Sequence, residues 1–322
     1  MDYGKIGVIA GGDSSERAIS LLSGEHVTTA LTGLGYHAAL IEIDNLDNLI
    51  PPLRKVDTVF NCLHGGTGED GTVQILLDVL EIPYPGSGPQ ASALAMDKPR
   101  AKEVLTRNGI AVPRGYTYQG EEIDLFCARA QTTLGYPLIC KPSAGGSSVG
   151  VWIVESESVL VKAAAQIIAR FGSLLIEEHI AGHELTVGVL HRQGVGEALP
   201  VIEIKLADRL FTYKDKYSAG VAEFLVPAPL DQGTAARVQK VGLAAHCALG
   251  CVGFSRIDLR LSADGIPYVL EVNTLPGITL KSLLPLAAAA VGITFPQLVE
   301  TMLETTLIRK SCGQNGSDTP AS

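Results

Sequence analysis

Short apolar runs alternate with amphipathic segments along the first part of the chain. The runs are rich in β-branched and aliphatic side chains and predict buried strands over residues 5–10, 37–43 and 58–63. Helical periodicity begins near Ser14, and again over Gly71–Leu80. This alternation predicts a parallel sheet covered by helices. The prolines and glycines of residues 83–89 then predict the end of a first domain.

The rest of the chain predicts further strands and helices. We expect strands over residues 136–141, 149–154, 173–178, 184–190 and 197–204, and helices over 97–108, 157–170 and 231–249. Residues 207–220 mix aromatic and charged side chains without a clear period, which is typical of a long functional loop. Two short helices are expected to close the fold, and the polar tail of residues 310–322 is predicted to be disordered.

Two apolar runs near the C-terminus predict a β-hairpin. They cover Val252–Leu261 and Ile266–Val272, and the turn-forming pair Asp264-Gly265 lies between them. A hairpin of this kind places polar residues of its two strands close together, so any polar pair on one strand can meet a pair on the other.

Four polar side chains interrupt these two apolar strands. Arg256 and Asp258 are two residues apart, as are Glu271 and Asn273, so each pair lies on one face of its strand. Two carboxylates and an amide oxygen form an oxygen-only ligand set that suits Mg²⁺ held together with nucleotide phosphates. The alternative is a solvated strand face with surface ion pairs. The apolar flanks favour the metal site, because buried charges need partners.

Composition and charge narrow the function classes. A chain of 322 residues with 46% hydrophobic residues and a mean hydropathy of +0.25 predicts a packed protein of two or three domains. A net charge of −9 argues against nucleic-acid binding, which needs a basic surface. No basic leader with a cleavage site begins the chain, and the apolar stretch Leu283–Val291 is too short to span a bilayer. Six cysteines without a CxxC pair are typical of thiols in the core of an intracellular enzyme.

Three glycine-containing loops could contact ligands. Lys141–Gly150 places a lysine before a Gly/Ser loop whose N–H groups could hold phosphates, although an ordinary turn is the alternative and the P-loop spacing is absent. Gly11–Glu16 lacks the dinucleotide fingerprint, and Glu16 is either a surface carboxylate at a helix start or a ligand for a substrate ammonium group. Leu63–Gly71 carries His64 and four glycines after a strand, where either a ligand or a plain long turn is expected.

In order along residues 5–306, these motifs together resemble one family, the D-alanine–D-alanine ligases of the ATP-grasp fold. The resemblance rests on GGDSSERAISLLSG, LHGGTGEDG, MDK at 96–98, KPSAGGSSVG, IEEHIAGHE, KY at 216–217, GFSRIDL and EVNTLPG.

The resemblance implies an α/β protein with a three-domain ATP-grasp fold and an N-terminal parallel-sheet domain. The expected boundaries are residues 1–95, 96–182 and 183–309, followed by the tail of residues 310–322. It further implies a cytoplasmic enzyme, a homodimer, that uses ATP and two Mg²⁺ ions, for which Mn²⁺ can substitute. Its small-molecule substrate would be D-alanine, its product a precursor of peptidoglycan, and neither nucleic acid nor membrane would be a partner.

The resemblance also implies roles for individual residues. Those on the nucleotide would be Lys98, Lys141, Ser148 and Lys216 at the phosphates, Glu177, Glu178, His179 and Ile180 at the adenine, and Glu184 at the ribose. Those on the metal ions would be Asp258, Glu271 and Asn273. For the amino-acid substrates, Glu16 would form a hydrogen-bonded triad with Ser147 and Tyr217, and His64 would lie near the first substrate. Arg256 and the Gly277 amide would lie at the oxyanion, and Ser282 at the carboxylate of the second substrate.

Other interpretations stay open at this point. His179, Gly145 and Leu280-Lys281 depart from common versions of the family, which bears on nucleotide affinity and on the second substrate. A ligase that makes D-alanyl-D-lactate or D-alanyl-D-serine is the nearest alternative, and Tyr217 favours the dipeptide. A nucleotide-binding protein without ligase activity would be expected to lack a metal or phosphate residue. A nicotinamide oxidoreductase is disfavoured because the fingerprint is absent.

Overall fold

The structure, a computed structural model, describes residues 2–145, 149–206 and 222–306. The predicted loop 207–220 and tail 310–322 therefore lie outside the described residues, as do four predicted site residues: Ser147, Ser148, Lys216 and Tyr217. No helix in the described part of the chain is long and apolar enough to cross a membrane.

The N-terminal region contains a parallel three-stranded sheet, as the alternating pattern predicted. Its strands are β1 (Ile6–Gly11), β2 (Ala38–Ile43) and β3 (Thr58–Asn61), in the order β2-β1-β3. Its helices are α1 (Arg17–Gly33), α2 (Ile50–Leu53), α3 (Thr72–Val79) and α4 (Pro89–Met96), with 3₁₀ turns at Leu46–Asn48 and Gly66–Gly68. Every residue of β1 is buried, which explains its continuous apolar run.

The middle of the chain forms an antiparallel four-stranded sheet. Its strands are β4 (Gly115–Thr117), β5 (Leu138–Lys141), β6 (Trp152–Val154) and β7 (Leu175–Glu178), in the order β4-β7-β5-β6. The helices are α5 (Lys98–Arg107), α6 (Ile123–Leu134) and α7 (Glu157–Phe171). The sequence pattern did not predict α6, although its buried Phe126, Cys127 and Ala130 and the flanking Ile123 and Leu134 pack on one cluster at helical spacing. The exposed Leu125 lies off this stripe and obscures the period.

The C-terminal region forms an antiparallel six-stranded sheet. Its strands are β8 (His183–Arg192), β9 (Val195–Ala198), β10 (Ile202–Leu206), β11 (Ala222–Leu225), β12 (Phe254–Leu261) and β13 (Pro267–Asn273). The order is β11-β10-β8-β12-β13, with β9 on β8. Its helices are α8 (Gln232–Ala248), α9 (Leu283–Ala289) and α10 (Phe295–Glu304). The single strand predicted over 197–204 was wrong: β9 and β10 flank Pro200, which has no N–H for a ladder.

The β12–β13 hairpin is present, and its register brings the two polar pairs together. Asp258 lies opposite Glu271, and Arg256 lies opposite Asn273. The register then shifts, because Leu259 pairs with Val269 and skips Leu270. Leu270 is therefore the extra residue of a β-bulge, next to Glu271.

Helix α5 packs on the C-terminal sheet although it precedes the middle strands. Its Ala101 and Leu105 share a buried cluster with Val187 of β8 and Ile257 of β12. The core of the N-terminal sheet likewise continues into α9 and α10 through Leu284 and Met302. The N-terminal and C-terminal sheets are thus joined by shared apolar packing, whereas the buried cluster of the middle sheet is formed by residues between 116 and 176 alone. The domain boundaries at 95 and 182 stay predictions.

Gly182, just before β8, provides a test of this arrangement. Its φ is +134°, and a Cβ there would lie 1.9 Å from the carbonyl oxygen of Leu261. Gly172 also has a positive φ, +68°, but a Cβ there would meet nothing within 4 Å. We expect Gly172→Ala to cost about 1 kcal/mol and Gly182→Ala roughly 2–3 kcal/mol or more, because only the second creates an overlap with backbone. Equal shifts in Tm for the two variants, measured by calorimetry, would contradict the packing described.

Candidate active site

A cavity of about 350 Å³ lies where the three sheets meet. Its walls come from the loops that follow β1 and β3, from β5 and β7 of the middle sheet, and from β8, β12 and β13 of the C-terminal sheet. Ten residues that the sequence predicted for the site line this cavity: Glu16, Lys98, Lys141, Glu177, Glu178, His179, Ile180, Glu184, Asp258 and Glu271. The fold therefore gathers residues that are up to 255 positions apart, from Glu16 to Glu271.

A buried carboxylate organises the lysines on one side of the cavity. Glu177 is 2% exposed, and its Oε2 lies 2.7 Å from Nζ of Lys141. Its Oε1 accepts a hydrogen bond from Nζ of Lys102, a residue that the sequence did not single out. Lys98 contacts the Gly145 carbonyl oxygen, and its Nζ lies 3.6 Å from Glu271 Oε2. Three ammonium groups thus face two carboxylates.

The electrostatics of this lysine cluster favour an incoming anion. Burial, and then the positive charge of Lys98, lower the pKa of Lys141 to about 7, while Glu271 acts in the opposite direction. Burial also lowers the pKa of Lys102 well below its ordinary value, with Lys141 and Lys98 contributing next. A polyphosphate would supply the negative charge that these ammonium groups lack, so the cluster is suited to bind one.

The hairpin presents the oxygen-only set predicted for a metal ion. Asp258 and Glu271 line the main cavity, and Asn273 lines a small adjoining one together with Glu271. The described residues contain no group of three or more His, Cys, Asp or Glu side chains that could hold a metal. A metal ion here would therefore depend on two carboxylates, one amide oxygen and oxygens of a bound ligand. That donor set fits Mg²⁺ with a nucleotide.

Arg256 is held against the proposed metal face. It donates through Nε to Asp258 Oδ1 (2.9 Å) and through Nη2 to Oδ2 (2.7 Å), and Thr186 Oγ1 donates to the same Oδ1 (2.7 Å). Asn273 Oδ1 accepts from the Leu275 amide (2.9 Å). This face of the hairpin is therefore polar and only partly exposed, which favours the metal site over a solvated strand face with surface ion pairs.

The residues predicted to bind the amino-acid substrates lie around this centre in different surroundings. Glu16 precedes α1 and lines the main cavity. His64 is buried, with Nε2 3.2 Å from Ser23 Oγ and Nδ1 3.7 Å from Glu69 Oε1. It lines a small cavity beside Ser14, not the main one.

The remaining two predicted residues follow β13. Gly277 lies in the loop between β13 and α9. Ser282 precedes α9, and its Oγ accepts from the Thr279 amide (3.0 Å). Neither residue lines the main cavity, nor does Arg256.

Another part of the cavity lining combines polar edges with apolar walls. Glu178 is paired with Arg114 (2.7 Å), and Arg260 contacts both Glu184 (3.0 Å) and the Ile180 carbonyl oxygen (3.0 Å). The apolar walls, which the sequence reasoning missed, are Ile139, Val151, Phe171 and Leu270. A flat heterocycle is a suitable occupant of such a space.

The missed residues differ in the signal they offered. Ile139 precedes Lys141 by two positions on one strand, so alternation alone would have placed it on the same face. Regular alternation would have placed Leu270 and Glu271 on opposite faces of their strand, and only the bulge lets both residues line the cavity. Lys102, Arg170 and Arg260 carried no local signal.

Comparisons with known proteins agree with the predicted family. The family models described as D-ala D-ala ligase N-terminus and D-ala D-ala ligase C-terminus match residues 47–87 and 106–304. The chain is 40% identical over 311 residues to a D-alanine–D-alanine ligase of Halalkalibacterium halodurans, covering 94% of this chain and 99% of that protein.

Two solved structures extend the likeness to the fold. One is the D-alanine–D-alanine ligase of Bacillus anthracis complexed with ATP (TM-score 0.83, 35% identity, 97% of this chain and 100% of that one). Another is the VanG D-Ala:D-Ser ligase of Enterococcus faecalis (TM-score 0.84, 29% identity, 95% of this chain and 100% of that one). The expected α/β ATP-grasp fold with its N-terminal parallel sheet is confirmed, and the chain belongs to the D-alanine–D-alanine ligase family.

Proposed function

We propose that this protein is a ligase that joins two D-alanine molecules to D-alanyl-D-alanine, with conversion of ATP to ADP and phosphate, for peptidoglycan synthesis. The observation that carries the proposal is the shared cavity of Glu16, the lysine cluster and the Asp258–Glu271 face. This cavity joins a carboxylate suited to an ammonium group with cations suited to a polyphosphate. Relatives that match most of the chain bear the name of the same ligase.

The nucleotide would lie between the middle and C-terminal sheets. Lys98 and Lys141 would contact its phosphates, together with Ser148 and Lys216. The segment Glu177–Ile180 would line the adenine, against the apolar walls, and Glu184 would contact the ribose. The similar Bacillus anthracis ligase was solved with ATP, which supports ATP as the nucleotide.

Asp258, Glu271 and Asn273 would hold two Mg²⁺ ions, with Mn²⁺ as a possible substitute. When bound, the ions would neutralise charge on the phosphates and so favour phosphoryl transfer. The chain itself prepares this face, because the β12–β13 register sets Asp258 opposite Glu271.

The chemistry requires an activated carboxylate, since oxide is a poor leaving group. A carboxylate oxygen of the first D-alanine bonds to the γ-phosphorus while the bond from that phosphorus to the β–γ bridging oxygen breaks, which yields an acyl phosphate and ADP. The amine of the second D-alanine then attacks the acyl carbon. The resulting tetrahedral intermediate releases phosphate, and the amine loses a proton. Lys98 and Lys141 would stabilise charge in the first step.

The amino-acid subsites would use the remaining predicted residues. Glu16, linked to Ser147 and Tyr217, would hold the ammonium group of the first D-alanine, with His64 nearby. Arg256 and the Gly277 amide would donate to the oxyanion of the tetrahedral intermediate, and Ser282 would contact the second carboxylate.

Three further features belong to the same proposal. The domains would span residues 1–95, 96–182 and 183–309, the enzyme would be a homodimer, and it would act in the cytoplasm. Sedimentation of the purified protein tests the dimer directly.

The substrate assignment is tested by product analysis. With ATP, Mg²⁺ and D-alanine alone, we expect one ADP and one phosphate for each D-alanyl-D-alanine formed. Parallel reactions with added D-lactate or D-serine distinguish the alternative ligases, one of which is represented among the similar structures. A dominant D-alanyl-D-lactate or D-alanyl-D-serine product at neutral pH would contradict the proposal.

The metal assignment predicts a specific loss of cation binding. Glu271→Gln keeps the shape of the side chain but removes its charge, so Mn²⁺ affinity in the presence of a non-hydrolysable ATP analogue should fall at least about tenfold. Electron paramagnetic resonance measures free Mn²⁺ without requiring turnover. Glu197→Gln, at a surface ion pair with Arg192, is the matched control and should leave Mn²⁺ binding unchanged.

The lysine cluster predicts a pH dependence of nucleotide affinity. Because the pKa of Lys141 is about 7 in the free protein, its ammonium form is progressively lost above that pH, and a bound polyphosphate must restore the proton. The Kd of a non-hydrolysable ATP analogue should therefore rise with pH above 7, by up to about tenfold per pH unit. Calorimetric titrations at pH 6, 7, 8 and 9 measure this. Lys141→Arg keeps its charge and should flatten the profile; an equal slope in both proteins would refute the assignment.

A further inference from the structure

Arg260 connects two parts of the cavity wall, the segment that follows β7 and the start of β8. Its Nη1 lies 3.0 Å from Glu184 Oε2, and its Nε donates to the Ile180 carbonyl oxygen at 3.0 Å. Both side chains of the ion pair are 18% exposed, so the pair is neither fully solvated nor fully buried. All three residues line the cavity.

The sheet register makes this connection specific. Arg260 and Glu184 are directly opposite each other in the antiparallel β12–β8 ladder, so their side chains share one face. Ile180 belongs to the segment that joins β7 to β8. One guanidinium group thus binds the segment that leads into β8, at the Ile180 carbonyl oxygen, and also the Glu184 carboxylate at the start of that strand. The planar guanidinium group of arginine has several N–H donors in fixed directions and can contact both oxygens at once. A lysine ammonium group lacks this fixed geometry.

The charge of Arg260 also acts on the neighbouring segment. Burial, and then the Arg260 charge, lower the pKa of His179, which favours the uncharged imidazole. His179, Ile180 and Glu184 are the residues proposed for one edge of the adenine and for the ribose. Arg260 therefore affects that whole edge of the nucleotide site without itself being assigned to the ligand.

We infer that Arg260 is a positioning residue that fixes the Glu184 carboxylate and the Ile180 carbonyl group, and thereby determines selectivity for the hydroxyl groups of the nucleotide ribose. The inference rests on the proposed function, in which Glu184 contacts the ribose. A carboxylate held in one orientation binds a sugar hydroxyl without first losing rotational freedom. Without Arg260, the same carboxylate loses this ion pair and its fixed orientation, and the hydroxyl contributes less to binding.

The test compares ATP with 2′-deoxy-ATP and 3′-deoxy-ATP in the full-length enzyme. We expect the unchanged protein to prefer ATP over at least one deoxynucleotide by about tenfold or more in kcat/KM, as for a hydrogen bond to a charged group. Arg260→Met should bring this ratio close to one, mainly through a higher KM for ATP with a smaller change in kcat. Arg260→Lys, which keeps the charge but not the planar guanidinium group, should restore the ratio only in part.

A matched control separates positioning from general stability. Arg192 forms a surface ion pair with Glu197 at the other end of β8, and Arg192→Met should leave the ATP preference unchanged. If Arg260→Met lowers Tm but keeps the ATP preference of the unchanged protein, Arg260 has only a structural role and the inference is wrong. If Arg260→Met does not fold, Arg260→Lys provides the test. An ATP preference equal to that of the unchanged protein would then show that the inference is wrong.

The outcomes also separate this inference from the proposed function. If the unchanged protein uses all three nucleotides equally well, the contact of Glu184 with the ribose is wrong and the inference falls with it. Formation of D-alanyl-D-alanine from ATP in the same preparation would still support the ligase assignment. Absence of that product would overturn the proposed function itself.

Discussion

The buried carboxylate of Glu177 is the constraint on which the site depends. A carboxylate that is 2% exposed is costly unless it is paired, and here Lys102 and Lys141 bind its two oxygens. Strand pairing makes this possible: Glu177 lies opposite Ile139 in the β5–β7 ladder, which sets Lys141 at the diagonal position on the same face. Removing Glu177 would leave two buried lysines without their shared carboxylate partner. The lysines are therefore fixed in place before any anion arrives.

The sequence was sufficient to predict much of the arrangement where periodicity is regular. Two-residue spacing predicted the faces of Asp258 and Glu271 correctly, and the turn signal at Asp264-Gly265 predicted that they would meet. The parallel N-terminal sheet followed from the alternation of strands and helices. The residue roles came from a resemblance spread over the whole chain, because no single motif carried them.

The residues that were missed have partners far away in the sequence. Lys102 follows Lys98 by one helical turn and looks like a surface lysine until β7 brings Glu177 against it. Arg260 has an acidic partner 76 positions earlier. Leu270 enters the cavity wall through a bulge, which breaks the alternation that any pattern-based prediction assumes. Long-range pairing and local irregularity, rather than composition, account for these failures.

Arg256 and Asp258 show how one ion pair links two proposed tasks. The same carboxylate that would bind a metal ion accepts two hydrogen bonds from the guanidinium group proposed for the oxyanion. Thr186 Oγ1 donates to that carboxylate from β8, so its orientation is set from two strands. A shift of Asp258 would therefore move Arg256 as well. Phosphoryl transfer and amine attack follow one another and require charge to be stabilised at neighbouring places. A rigid pair therefore keeps Asp258, the proposed metal ligand, and Arg256, the proposed oxyanion donor, in one fixed relation.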